Sequence, residues 1–107
     1  MKETVLILLF FCNLQAQVWE QITPQFDPPG NYNFYYVAMG DENNLWFVDY
    51  ESCRIFHTSD GGYNWIMQRD SAGQKTYHWD IFFIDAQTGW VLSSIEDSTF
   101  ILKTTDA

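Results

Sequence analysis

Short runs of aromatic and β-branched residues alternate along this chain with clusters of turn-forming residues. After residue 16, no stretch keeps a hydrophobic period of 3.6 residues for three helical turns. This pattern predicts an all-β protein. The predicted strands are Val18–Ile22, Tyr32–Met39, Leu45–Tyr50, Arg54–Ser59, Asn64–Arg69, Tyr77–Ile84, Gly89–Ile95 and Thr99–Thr104.

The segments between these runs have the composition of turns, with Asp, Asn and Gly in most of them. They are Asp27–Asn31, Gly40–Asn44, Asp60–Gly62, Ser71–Gly73 and Asp85–Gly89. Pro24, Pro28 and Pro29 all precede the first long strand. Because proline cannot donate to a strand ladder, this part of the chain is predicted to be a connector.

Three pairs of segments repeat along the chain at a spacing of 44 to 46 residues. They are Ile55–Asp60 with Ile101–Asp106, Asp41–Trp46 with Asp85–Trp90, and Trp19 with Trp65. A period of this length is typical of a propeller blade with four short strands, since ankyrin, tetratricopeptide and leucine-rich repeats are shorter. The repeat therefore predicts four-stranded antiparallel blades, of which about two are present.

The turn Thr58–Trp65 reads Thr-Ser-Asp-Gly-Gly-Tyr-Asn-Trp. It resembles the Asp-box, or bacterial neuraminidase repeat, with the pattern Ser/Thr-x-Asp-x-Gly-x-Thr-Trp, and differs from it by Asn64 in place of Thr. An aspartate can accept hydrogen bonds from backbone amides in its own turn, glycine permits a positive φ, and the tryptophan can fold over the hairpin. The resemblance implies a structural site, which comprises Thr58, Asp60, Gly62 and Trp65, with Thr104 and Asp106 in the second copy.

The longer pattern Phe82–Val91 followed by Ile101–Asp106 is similar to the exported propellers related to photosystem II assembly and stability factors. In that group the first segment forms two strands of a blade, and an Asp-box joins its third and fourth strands away from the ligand face. The resemblance covers Val18 to Ala107. It implies a larger propeller, so we expect the gene to continue past Ala107 and to supply the remaining blades.

The chain begins with Met-Lys-Glu and an apolar run, Val5–Cys12, of eight residues. This is the layout of a secretory signal peptide and is too short to span a membrane. A buried N-terminal strand is the alternative. Cleavage after Ala16 leaves Gln17 as the first residue and predicts a secreted, periplasmic or cell-envelope protein. It also leaves Cys53 as the one thiol, so no disulfide forms within the product.

The domain organisation predicted from these features has four parts. They are a signal peptide at 1–16, an N-terminal strand and connector at 17–31, a first blade with its Asp-box at 32–69, and a second blade at 70–107 that ends within its Asp-box.

The charge balance is strongly acidic, with 14 Asp and Glu against 5 Lys and Arg and a net charge of -9. Nucleic-acid binding depends on a basic surface, so this balance argues against it, and it also disfavours an anionic membrane surface. The 19% of aromatic residues exclude a disordered acidic tail.

An enzymatic function is an alternative, because sialidases and several polysaccharide-degrading propellers carry Asp-boxes. Sialidases resemble one another in an arginine triad, whereas this mature chain has only Arg54 and Arg69. A glycosidase could use two facing carboxylates. The available acids mostly flank turns, where a structural role is favoured: Asp41, Glu42, Asp49, Glu51, Asp70, Asp80, Asp85, Glu96 and Asp97. No catalytic residue is therefore predicted.

Metal and cofactor sites are not predicted either. The loops at Asp41 and Asp60 lack the alternating ligand order of a calcium loop, and His57 and His78 have no second ligand at zinc spacing. Two functions remain open. The first is a non-catalytic scaffold or protein-interaction module, and the second is part of a carbohydrate-active propeller that hydrolyses or binds glycans. Some aromatic residues could form a sugar-stacking platform, although packing between blades needs most of them.

Overall fold

The computed structural model describes residues 18–49, 54–70 and 76–107, and these residues form strands and turns without a helix. The strands are β1 (Gln25–Asp27), β2 (Phe34–Met39), β3 (Leu45–Asp49), β4 (Arg54–Thr58), β5 (Asn64–Asp70), β6 (Thr76–Phe83), β7 (Gly89–Ile95) and β8 (Ser98–Thr104). The all-β prediction is confirmed for these residues. The predicted signal peptide at 1–16, the thiol Cys53 and the turn Ser71–Gly73 lie outside them.

Seven of the eight predicted strands are present, with ends that differ by at most two residues. The prediction of a strand at Val18–Ile22 is wrong, because these residues lie outside every strand and the Trp19 side chain is 99% exposed. The connector prediction also missed β1, which lies between Pro24 and Pro28. As an edge strand with one neighbour, β1 needs few of its own N–H groups in the ladder, so flanking prolines are tolerated.

The strands form a five-stranded sheet in the order β1-β5-β4-β3-β2 and a three-stranded sheet in the order β6-β7-β8. Strands β2 to β5 are antiparallel, as predicted, whereas β1 pairs with β5 in parallel. The five-stranded sheet is therefore mixed, which corrects the prediction of purely antiparallel sheets.

Two units repeat the same strand register, and we call residues 34–70 unit 1 and residues 76–107 unit 2. The first hairpin of unit 1 closes on the pair Met39–Leu45, and that of unit 2 closes 44 residues later on Phe83–Gly89. The next pairing, Leu45 with Thr58, recurs in unit 2 at Gly89 with Thr104. The spacing increases from 44 to 46 residues because the two paired residues are 13 positions apart in unit 1 and 15 positions apart in unit 2, so this hairpin is two residues longer in unit 2.

A β-bulge lies at the same position in both units. In unit 1 the register shifts between Phe34 and Tyr36, and in unit 2 it shifts between His78 and Asp80, again 44 residues later. A bulge inserts one extra residue and re-aims the side chains next to it. The two units therefore share an irregular feature of the backbone as well as their strand order.

The two sheets pack front to back. In unit 1, the side of the sheet that carries Trp46 is called the front face. In unit 2, the front face is the side that carries the equivalent residue, Trp90. The opposite side of each sheet is called the back face. The front face of unit 1 packs on the back face of unit 2, and the buried cluster between them comprises Ala38, Trp46, Val48, Ile55, Ile81 and Val91. The rings of Trp46 and Phe83 stack across this interface with centroids 3.5 Å apart.

A second buried cluster covers the back face of unit 1 and comprises Phe47, Phe56 and Trp65. Phe26 and Tyr32 pack against it from the N-terminal segment. This coverage follows from the strand order, because β1 and β2 occupy opposite edges of the five-stranded sheet. The residues that connect them must cross this face.

Candidate functional site

The turn between β4 and β5 is built around the side chains of Thr58 and Asp60. The Thr58 hydroxyl donates to Asp60 Oδ1 at 2.7 Å and accepts from the Gly62 amide at 3.1 Å. Asp60 Oδ1 also accepts from the backbone N–H of Asn64 at 2.9 Å. The indole of Trp65 donates to the Gly62 carbonyl at 2.8 Å, so the ring folds back onto the turn. All four residues predicted for this turn take part in one hydrogen-bond network.

The electrostatics of the turn stabilise the ionised form of Asp60. Hydrogen bonds from the Asn64 side chain, the Asn64 amide and the Thr58 hydroxyl lower the pKa of Asp60 from 3.8 to about 2. Asn64, which stands where Thr is usual in the Asp-box pattern, donates through its side-chain amide to Asp60 Oδ2 at 2.8 Å. Gly61 and Gly62 have φ angles of 74° and 109°, which L side chains rarely adopt.

The corresponding residues of unit 2 make the first part of the same arrangement. The Thr104 hydroxyl donates to Asp106 Oδ1 at 3.3 Å and accepts from the Asp106 amide at 3.4 Å. The Thr58 hydroxyl makes the same two contacts with Asp60. The predicted second copy thus has the local geometry of the first at these two residues.

The first hairpin loop of each unit also closes on an aspartate. Asp41 Oδ1 accepts from the amides of Asn43 and Asn44, both at 2.9 Å. Asp85 Oδ1 accepts from the amides of Gln87 and Thr88, both at 2.8 Å. These turns occupy the same end of the sheets as the Asp60 turn, and we call it the turn end. Asp41, Asp60 and Asp85 thus accept hydrogen bonds from backbone amides, which is a structural role within their own turns.

The histidines considered as metal ligands occupy different environments. His57 Nε2 lies 2.9 Å from Asn44 Oδ1, its ring stacks on Trp46, and burial lowers its pKa against an opposing effect of Asp41. His78 is buried, with Nδ1 2.8 Å from Ser93 Oγ. Within residues 18–49, 54–70 and 76–107, no three His, Cys, Asp or Glu side chains group so as to hold a metal ion.

A cavity of about 340 Å³ opens at the opposite end of the sheets, which we call the cavity end. Aromatic rings and polar groups from both units line it: Tyr35, Val48, Asp49, Tyr77, His78, Trp79, Ser94 and Glu96. Tyr35, Tyr77 and Trp79 are each at least half exposed. This cavity is the candidate ligand site of the described structure.

Hydrogen bonds fix the positions of the side chains that line the polar wall of this cavity. The Trp79 indole donates to Ser94 Oγ at 2.8 Å, which fixes the ring at the rim. Asp49 is 2% exposed and accepts from the Asn33 amide at 2.6 Å. The arrangement offers flat apolar ring faces beside carboxylate and hydroxyl oxygens, and this combination suits a small polar ligand with a ring of its own. Sequence reasoning considered an aromatic platform but did not place these residues together.

The arginines are not grouped in the described structure. Arg54 Nε lies 3.2 Å from Asp70 Oδ1 at the cavity end of β4, and this hydrogen bond raises the pKa of Arg54. Arg69 lines a different cavity, between the two sheets.

The chain matches no family model, no curated protein and no solved structure. In the part of the chain that the structure describes, no helical segment has the length and hydrophobicity needed to cross a membrane.

Proposed function

We propose that this chain is a repeat segment of an exported, non-catalytic Asp-box β-propeller that serves as a scaffold or protein-interaction module. The observation that carries this proposal is the front-to-back packing of two units with the same register and bulge. Such packing extends naturally to further units, because each unit has one face of each kind. The resemblance to photosystem assembly factors and the hydrophobic N-terminal run support an exported scaffold.

The front face of unit 2 is where a further unit or a partner fits. Its residues occupy the positions that are buried in unit 1: Phe82, Trp90, Leu92 and Ile101 correspond to Ala38, Trp46, Val48 and Ile55. Leu92 is 39% exposed and Ile101 63% exposed. An apolar sheet face of this kind marks an interaction surface.

The positions of the carboxylates support a non-catalytic role. Asp41, Asp60 and Asp85 accept hydrogen bonds from backbone amides in their own turns. These hydrogen bonds stabilise the turns, so a structural role in folding accounts for the three carboxylates. Purified protein is therefore expected to leave sialosides and β-glucans intact, and clear turnover of either substrate would contradict the proposal.

Adjacent residues of β7 provide a matched test of the front face. Leu92 lies on the exposed front face, whereas Val91 lies on the buried back face between the sheets. Leu92→Lys is expected to shift the unfolding free energy by no more than about 0.5 kcal/mol and to reduce self-association measured by light scattering. Val91→Lys is expected to prevent cooperative folding, because it buries an unpaired charge. Unfolding by Leu92→Lys would contradict this assignment of the two faces.

Glycan binding is the second candidate function, and the cavity end favours it. The exposed rings of Tyr77 and Trp79 lie beside the polar wall, as a stacking platform for a sugar ring requires. A glycan array with the intact protein tests this function. Binding that is lost in Trp79→Ala and retained in Phe82→Ala, an exposed aromatic on the front face, would favour it. Equal binding by both variants would exclude this cavity as the site.

A further inference from the structure

Each unit carries an aromatic residue at its β-bulge, and both of these residues line the cavity at the cavity end. They are Tyr35 in unit 1 and Trp79 in unit 2, and each is the extra residue of its bulge. A bulge residue is left out of the strand pairing, and bulges are common next to functional sites because they re-aim a side chain. The two side chains are 53% and 57% exposed. Packing in a hydrophobic core therefore does not account for an aromatic residue at both positions.

The walls of this cavity come from the interior of the chain. Strands β2 and β3 of unit 1 and β6 and β7 of unit 2 provide most of its lining, and the turn between β7 and β8 provides Glu96. Among the described residues, none before Tyr35 and none after Glu96 lines it. The cavity is thus a feature of the junction between two consecutive units.

Three aromatic rings give the cavity the composition of an aromatic cage. The ring centroids of Tyr77 and Trp79 are 6.4 Å apart, with an interplanar angle of 39°, and Tyr35 contributes a third ring from the other unit. A cation is attracted to the face of an aromatic ring within about 6 Å of its centroid, so one ammonium group can interact with both Tyr77 and Trp79. Tryptophan is the strongest partner in this interaction, and the hydrogen bond from Trp79 to Ser94 holds its indole in place.

The charged side chains of the cavity wall are carboxylates. Asp49 and Glu96 line the cavity, and no Lys or Arg does so among the described residues. Asp49 accepts from the Asn33 amide and stands opposite Arg54 in the pairing of β3 with β4, so part of its charge is compensated. Glu96 is exposed at the rim. These carboxylates and the net charge of -9 favour a cationic ligand over an anionic one.

Glu96 occupies a turn position that suits glycine better than glutamate. Ile95 and Ser98 close the β7–β8 hairpin, so its turn consists of Glu96 and Asp97. Glu96 has a φ angle of 53° and is the one non-glycine residue with a positive φ in the described part of the chain. Glycine usually supplies a positive φ at this position of a two-residue hairpin turn. Strain of this kind is concentrated at functional sites, which agrees with the place of Glu96 in the cavity wall.

We propose that the cavity end binds a quaternary ammonium group, with the rings of Tyr35, Tyr77 and Trp79 around its methyl groups and the Glu96 carboxylate facing its charge. A quaternary nitrogen has no hydrogen to donate, which suits a wall made largely of ring faces. The cavity volume of about 340 Å³ lies at the lower end of the range of ligand pockets, about 300–1,000 Å³, so the ligand has the size of a small headgroup such as choline.

Isothermal titration calorimetry of the intact protein with choline chloride tests the proposal. The matched control ligand is 3,3-dimethyl-1-butanol, which has the shape of choline with a neutral carbon in place of the charged nitrogen. We expect choline to bind at least about tenfold more tightly than this alcohol, because only the cation is attracted by the ring faces and the carboxylate. Equal affinities would show that apolar burial alone drives binding and would overturn the proposal, as would the absence of choline binding.

Two aromatic variants locate the binding site. Trp79→Ala is expected to weaken choline binding about tenfold or more. Phe82→Ala removes an exposed aromatic ring from the front face and should leave the dissociation constant within about twofold. Trp79→Phe keeps a ring and should bind choline with intermediate affinity, so it provides the measurement if circular dichroism shows that Trp79→Ala is unfolded. Native affinity in the folded Trp79 variants would overturn the proposal.

Two neighbouring acids of one turn test the carboxylate. Glu96→Gln is expected to weaken choline binding about threefold or more, because it removes the charge that faces the ligand. Asp97→Asn removes the same charge from the next residue, which does not line the cavity, and should have a smaller effect. Equal effects of the two substitutions would contradict the role given to Glu96.

Vesicles of phosphatidylcholine distinguish the two sources of a quaternary ammonium group. Cosedimentation with these vesicles that excess choline abolishes would assign a lipid headgroup as the source, and choline binding without cosedimentation would assign a free ammonium compound. Glycan binding that Trp79→Ala abolishes, together with no response to choline, would overturn the proposal and leave the second candidate function standing. The proposal does not rest on the scaffold function, which none of these outcomes affects.

Discussion

Asp60 accepts hydrogen bonds that depend on its negative charge, and this makes the turn of unit 1 sensitive to acid. Its pKa in the folded protein is about 2, below the ordinary value of 3.8. Because folding depresses this pKa, the stabilisation is fully present above about pH 4 and is lost as the pH falls toward 2. We expect Asp60→Asn to lower the melting temperature at pH 6, and the difference from the native protein to narrow below about pH 3.

Asp97→Asn is the control for this prediction, since it removes the same charge from an exposed position in the β7–β8 turn. Thermal unfolding followed by circular dichroism between pH 2 and pH 6 measures all three proteins. Parallel curves for the native protein and Asp60→Asn across this range would contradict the role assigned to the carboxylate.

Individual residues were predictable where their chemistry is local. Asp41, Asp60 and Asp85 bond to amides two to four residues away, so the turn sequence alone indicates their role. The cavity end was not predictable in this way. Asp49 accepts from the Asn33 amide 16 residues earlier, and Trp79 lies within the bulge that interrupts the alternation of β6. Such contacts depend on register and on re-aimed side chains, which a period-two pattern does not specify.

Two hairpins, one from each unit, approach each other closely at Gly40, and this approach sets the distance between the sheets at the turn end. A Cβ atom at this position would lie 2.6 Å from the Asp85 carbonyl oxygen and 2.8 Å from the Trp46 ring. Because the Asp85 carbonyl belongs to the backbone, it can move away from a new Cβ atom only if the hairpin itself shifts, which costs free energy. We therefore expect Gly40→Ala to destabilise the protein by about 1–3 kcal/mol, measured by urea unfolding.

Gly30→Ala is the matched substitution. Its new Cβ would first meet the outer atoms of the Tyr32 ring at 3.0 Å, and Gly30 itself is exposed. Since an aromatic side chain can rotate slightly, we expect a smaller loss of about 0.5 kcal/mol or less. Equal losses for the two variants would show that the hairpins tolerate separation and that Gly40 does not set their distance.

The strands of the two units could be predicted because each combines alternation with turn chemistry that agrees with it. In the N-terminal segment, the sequence pattern predicted a strand that is absent and did not predict a strand that is present. Val18–Ile22 has a strand pattern but no partner within the described chain, whereas Gln25–Asp27 pairs with β5 although prolines flank it. A strand forms only where an edge accepts it, and the sequence of the segment itself does not show which edge that is.

At the scale of the whole molecule, export is a prediction from the sequence. The apolar run Val5–Cys12 and the small residue Ala16 predict cleavage that leaves Gln17 at the N-terminus. N-terminal sequencing of the extracytoplasmic protein is expected to find Gln17 or a residue within a few positions of it. Recovery of Met1, or of a lipidated Cys12, would contradict this prediction. The new N-terminus would place Trp19 almost at the start of the mature chain.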